Sequence, residues 1–181
     1  YFPGKPIISS PYGPGNVEDS PIILDYTLTQ SPYGTQRGSG ILMACWGNWG
    51  YHMISQEAYA GALSTIQGQA WRKAPLMLEP CGVIGGWSAG DVQRSLDWAV
   101  ANHASIIGNN SMPVPSSAVP AIQDALKKLG YRIVPSRIQH PGTLGAGRNL
   151  NVIVDFNNKG NAPAYQDYVW AVQLRGPQTV T

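Results

Sequence analysis

Charge is scarce in this chain. Asp, Glu, Lys and Arg make up 12% of its 181 residues, about half the ~25% of an ordinary globular domain. The formal net charge is +2 and no run of Lys or Arg occurs. A nucleic-acid surface needs a concentrated basic patch against the phosphates, so a nucleic-acid partner is not expected. Cysteine is nearly absent as well: Cys45 and Cys81 allow one disulfide and no thiolate metal cluster. His52, His103 and His140 are far apart, and neither HExxH nor CxxC spacing occurs. No metal and no other cofactor is expected. No apolar run reaches the ~18 residues of a spanning helix, so no membrane span is expected. The glycines at 82–86 and 145–147 lack the spacing of a dinucleotide or phosphate-binding loop and read as turns.

What the chain has in quantity is glycine and proline (21 and 15), with six Trp and nine Tyr against two Phe. Low charge combined with Trp, Tyr, Asn, Gln, Ser and Gly suits a secreted or cell-surface protein that handles neutral polar ligands such as sugars. No leader pattern of a basic stretch followed by an apolar one is among these residues.

The rhythm changes twice along the chain. Residues 1–39 are punctuated by Pro, Gly and Tyr, with SPYG at 10–13 and again at 31–34 and one strand expected near Ile22 to Leu28. Residues 40–130 alternate short apolar runs with helical patterns. "GILMACW" (40–46), "APLMLE" (74–79) and "ASII" (104–107) read as buried strands. Helices are expected over 55–67, 90–102 and 118–129; the second has Asp91 near its start, and the third has Pro120 in its first turn. This βα grammar implies parallel strands with helices outside them. From 131 to 181 the period is two: "YRIVPSRIQHPG", "RNLNVIVDFNNKG" and "DYVWAVQLRG" read as antiparallel strands. Three βα units cannot close a barrel and three strands cannot close a sandwich. The expected fold is therefore α/β: the C-terminal part of a (β/α)₈ barrel followed by an incomplete antiparallel β-sandwich, with the rest of a larger chain or neighbouring subunits as partners.

Four stretches carry a resemblance: "ACWGNWGYHM" (44–53), "WRKAPLMLEPCG" (71–82), "DWAVANHASIIGNNSMPVP" (97–115), and "LKKLGYRIV" (126–134) followed by "NKGNAPAYQDYVWAVQLRG" (158–176). Together they resemble a bacterial family of secreted, glycoside-hydrolase-like proteins, described mostly as a domain of unknown function or as β-galactosidase-like. The match covers about residues 40–176. It implies barrel strands six to eight, an Asn-rich loop beyond the eighth, and the barrel-to-sandwich junction. One departure is Ala44, where the family often has an Asp, and it bears directly on activity.

Glu79 ends the second apolar run and is followed by Pro80. Barrel chemistry sits at the C-terminal ends of the strands, and by analogy many barrel glycosidases place their nucleophile after strand seven, where Glu79 would fall. A retaining glycosidase needs a second carboxylate about 5 Å away. Asp91 and Asp97 are the nearest in sequence, and helical periodicity puts both outside the barrel. A structural role for Glu79 stays open beside the catalytic one. The expected cleft has the Glu79 carboxylate at the strand ends, Trp46 or Trp87 in its wall, and Asn109 or Asn110 nearby. Trp46, Trp49 and Trp87 are candidates for stacking on a sugar ring, and His52, Asn109 and Asn110 for its hydroxyls. If the first two strands are neighbours in register, the Cα atoms of Cys45 and Cys81 should lie within about 7 Å, close enough for a disulfide. Two functions follow. The first is hydrolysis or binding of an oligo- or polysaccharide at the barrel mouth. The alternative is a non-catalytic carbohydrate-binding or extracellular matrix or filament protein.

Overall fold

The computed structural model describes residues 8–9, 40–47, 70–73, 75–80, 82–109, 113–175 and 179–180. The strand expected near 22–28, the helix expected over 55–67, and Trp49, His52, Cys81 and Asn110 lie outside the described residues. So does the side chain of Cys45, and with it the test of the Cys45–Cys81 pairing.

Strands form where the apolar runs are continuous. "GILMACW" is β2 (Gly40–Trp46) and "LMLEP" is β3 (Leu76–Pro80). Two short strands flank them, β1 (Ile8–Ser9) and β4 (Ile106–Ile107). All four pair in parallel in the order β1-β2-β3-β4. The sequence pattern gave no warning of β1, which brings two residues into the sheet by pairing Ile8 with Gly40 and Ser9 with Ile41. The spatial order follows the chain order without a reversal. Right-handed crossovers then place successive helices on the same face, whereas a doubly wound sheet reverses and places them on both. Among the described residues the sheet remains open, since no strand joins β4 back to β1.

Helix α1 is a single turn, Ala70–Lys73. Helix α2 spans Ala89–Ala101 and begins at Ser88, whose Oγ accepts from the Asp91 N–H at 3.1 Å and donates to the Asp91 carboxylate at 2.7 Å. That pairing satisfies one of the orphan donors of the first turn. Val92, Ser95, Leu96 and Ala99 form its buried stripe. At its other end the Ala104 N–H bonds to the Ala99 carbonyl and the His103 N–H to the Val100 carbonyl. This is the paired closure of a Schellman motif, with His103 at φ 58° where glycine usually stands. Helix α3 spans Val119–Leu126, with Pro120 in its first turn, where a missing N–H costs nothing.

Met43, Leu76 and Leu78 of the sheet meet Val92, Leu96 and Ala99 of α2, and Ala125 of α3 with Leu129 just beyond it, in one buried cluster. Both helices therefore cover the same side of the sheet. Burial of side chains of this size contributes about 1.5–3 kcal/mol each before entropy is counted.

The C-terminal unit is antiparallel. β5 (Ile133–Gln139) pairs with β6 (Ile153–Asn158), and β7 (Leu174–Arg175) with β8 (Thr179–Val180), as two separate ribbons. One face of the first ribbon carries Arg137 bonded to Asp155 at 2.5 Å; the other carries Pro135 and Phe156. The strand expected over 167–176 is reduced to β7. Instead of a ladder, Trp170 stacks on Phe156 with ring centres 4.1 Å apart, and Tyr168 leans on Tyr131. Side-chain packing has taken these residues where no neighbouring strand is present among the described residues to complete a ladder.

Candidate functional site

Glu79 is the fourth residue of β3, where burial alternates strictly: Leu76, Leu78 and Pro80 are buried, Met77 and Glu79 half-buried. Period-two geometry puts the first three on the helix-covered face and the last two on the opposite face. Register aligns Leu42 of β2 and Ile106 of β4 with Met77, so Glu79 extends an apolar row by one step towards the C-terminal edge. Among the described residues the Glu79 side chain has no hydrogen-bonding or ionic partner.

The expected neighbours of Glu79 do come together, but elsewhere. Trp46, Trp87 and Asn109 line one cleft of about 260 Å³, walled also by Ile107, Val114 and Leu126. It opens between the strand ends and the two helices, and Glu79 does not line it. The cause is a bulge in β2. Met43 pairs with Leu78 and Trp46 with Pro80, so three steps on β2 match two on β3. Without the extra residue Trp46 would face the Glu79 side; with it, Trp46 turns to the helices. Trp46 is 1% exposed and belongs to the core. Its indole packs against the helices with almost no surface open to solvent. Trp87 meets it edge to face, with ring centres 5.5 Å apart and planes at 65°. The Trp87 ring also lies against Gly47, whose φ of +87° and missing Cβ make that approach fit. The buried Trp46 Nε1–H has no hydrogen-bond acceptor among the described residues.

Asp91 and Asp97 are exposed on α2, bonded to Ser88 and Gln93 respectively, in the layer behind the sheet from Glu79. Neither is placed to be its partner acid. No group of three or more His, Cys, Asp or Glu side chains suited to a metal occurs among the described residues. No helix there is long and apolar enough to cross a membrane.

The junction between the two units joins Trp71 and His103 to Lys128, Asn161 and Tyr165, none of which was among the candidate site residues. His103 stacks on Trp71 at 3.6 Å between ring centres, and its Nδ1–H donates to the Asn161 carbonyl at 2.5 Å. These contacts offset the cost of the left-handed backbone at His103. The Tyr165 hydroxyl donates to the Trp71 carbonyl at 2.6 Å and lies 3.2 Å from Ser105 Oγ. Asn161 closes the seam, its backbone N–H bonding to the Lys128 carbonyl and its Nδ2 to the Val100 carbonyl. "NKGNAPAY" is the sequence signal, a polar turn whose amide side chains can replace missing backbone partners.

Burial holds the Tyr165 phenol above its usual value of 10.0, with the Ser105 hydrogen bond acting the other way. The fold thus favours the neutral form. That contribution is whole below the unfolded phenol value near 10 and is lost as pH rises through the higher folded one. Thermal melts should therefore weaken from about pH 10 upwards, and Tyr165→Phe should lose this share of the decline while melting lower at pH 8. An identical alkaline decline in Tyr165→Phe would show that the phenol is not responsible.

Comparisons with protein-family models, with curated proteins and with solved structures found no match to this chain.

Proposed function

We propose that this chain is part of a secreted, carbohydrate-active barrel protein in which Glu79 is an acid of the glycan site. The observation that carries the reading is the position of Glu79. It lies at the C-terminal end of a central parallel strand, on the face opposite the helices among the described residues. In a (β/α)₈ arrangement that face is the barrel interior and that edge is where chemistry is done. The unreversed strand order supports such an arc, and the low charge of the chain suits a neutral glycan. The family resemblance of residues 40–176 points the same way.

The alternative, a glycan-binding or extracellular structural protein without catalysis, draws on a specific observation. Hydrolysis requires a second carboxylate about 5–10 Å from the first, and among the described residues Asp91 and Asp97 are turned to the other layer. Ala44, in place of the family Asp, favours this alternative too. Reducing-sugar release and calorimetric binding, measured on the whole chain with a panel of neutral polysaccharides, separate the two. Under the catalytic reading, Glu79→Gln should cut hydrolysis by about 10³-fold or more while binding stays within about threefold, because the isostere keeps shape and loses charge. Unchanged turnover removes the catalytic role. Absence of binding and hydrolysis in the unaltered chain removes the carbohydrate reading altogether.

A further inference from the structure

A second cleft, of about 450 Å³, opens at the opposite edge of the sheet, where β3 and β4 begin and the chain leaves for β5. Its volume falls in the ~300–1,000 Å³ range of small-molecule sites. Ile106 supplies an apolar wall, and Ser105, Tyr131, Tyr165, Gln166 and Tyr168 supply rings, hydroxyls and an amide; among the described residues no Asp, Glu, Lys or Arg lines it. From Pro75 at its margin to Glu79 is four strand residues, about 13 Å, so the two sites lie at different ends of β3.

We propose that this tyrosine-lined cleft binds a neutral sugar unit of an oligosaccharide, by ring stacking and by hydroxyl and amide hydrogen bonds. Three features select that class. Tyrosine offers a flat apolar face next to a polar tip, which matches the C–H face and hydroxyl rim of a pyranose. The described lining carries no charge to recognise a phosphate, a uronate or a basic peptide. The hydroxyls are also ordered in advance. The Tyr131 hydroxyl bonds to that of Tyr168, and Gln166 Nε2 donates to the same oxygen at 2.8 Å. Within the Tyr131–Tyr168 pair either hydroxyl can donate to the other, so the mutual bond uses one of the two phenol protons. The other phenol proton of the pair is left to donate to an incoming hydroxyl. Tyr131 is 45% and Tyr168 40% exposed, so both can be reached. The site needs neither Glu79 nor hydrolysis.

The test is calorimetry on the full chain with cello-, malto- and galacto-configured neutral hexasaccharides, with oligogalacturonate as the charged probe. Amide shift mapping by NMR locates the binding. Binding of at least one neutral probe, with shifts at Ser105, Gly130 and Gln166, is expected. Tyr168→Ala should weaken it about tenfold or more, Tyr131→Phe by less, and Glu79→Gln not at all. Both tyrosine positions are well exposed, and circular dichroism of each variant checks that its fold is retained. The proposal is overturned if no neutral probe binds, if oligogalacturonate binds in preference, or if affinity survives Tyr168→Ala. It is equally overturned if shifts and loss of affinity follow Glu79 instead, a result that would support the barrel-mouth reading. Self-association that Tyr168→Ala abolishes would assign the cleft to a second copy of the chain and also overturn it.

Discussion

Gly160→Ala is expected to destabilise the chain by about 3 kcal/mol, at the upper end for overpacking. A Cβ at this position would stand 2.9 Å from both the Gly130 carbonyl carbon and the Tyr131 Cα, and nearer still to the Gly130 oxygen. All three are backbone atoms, so no rotamer change makes room. The turn at 158–162 would have to lift away. That movement would strain the bonds from Ala162 N–H to the Gly130 carbonyl and from Asn161 N–H to the Lys128 carbonyl, 2.9 and 2.8 Å long. Those bonds fasten the antiparallel unit to the α/β unit, so the substitution tests the seam as well as the residue. Urea melts should show the loss, and amide exchange should rise at Asn161 and Ala162 ahead of Leu78. Gly142 is the control, because nothing among the described residues lies within 4 Å of a Cβ built there. Its replacement by Ala should move stability by less than about 0.5 kcal/mol. If Gly160→Ala melts like Gly142→Ala, the close approach is not the determinant of the seam.

What could be read from the sequence is what local chemistry decides. β2 and β3 were legible because largely apolar runs of 7 and 5 residues are too short for a buried helix and suit a strand covered on both faces. α2 was legible because Ser88 and Asp91 form its start and Val92, Leu96 and Ala99 recur at helical spacing. β1 was not, since two residues carry no period and their pairing with Gly40 and Ile41 is a long-range event. His103 showed no sign of its left-handed backbone, because the stack on Trp71 and the bond to Asn161 that hold it come from distant segments. The strand expected over 167–176 failed for the opposite reason: its alternation was real, but alternation specifies a face and does not supply a neighbour.

The candidate site shows the limit most sharply. Position at the end of a strand was legible for Glu79 and for Trp46. Which side of the sheet each faces was not, because one bulge residue between Met43 and Trp46 reverses the outcome. A bulge leaves no mark in an apolar run where every residue is acceptable on either face. The tyrosine cleft is hidden differently. Its residues come from four separated stretches around 75, 105, 130 and 166, and only the fold of the seam brings them together.

The face assignment of Glu79 has its own large expected effect, read on neighbouring residues. Leu78 is 0% exposed and packs in the cluster shared by β2, α2 and α3. Leu78→Ala should cost about 3 kcal/mol or more, the lost transfer energy plus the cavity that a close-packed layer cannot fill. Glu79 is half-buried on the other face and has no partner among the described residues. Glu79→Ala should therefore change stability by less than about 1 kcal/mol, since no ion pair or hydrogen bond is broken and little apolar contact is lost. Denaturant melts of the two variants at one pH measure the contrast. Equal losses would mean that Glu79 is held by contacts of its own and serves the fold, and the structural reading of this acid would replace the functional one. A large loss at Leu78 with little at Glu79 leaves a carboxylate at the strand end that the fold can spare. An acid that the fold can spare is free to meet a ligand, which is the condition a catalytic or glycan-contacting residue has to satisfy.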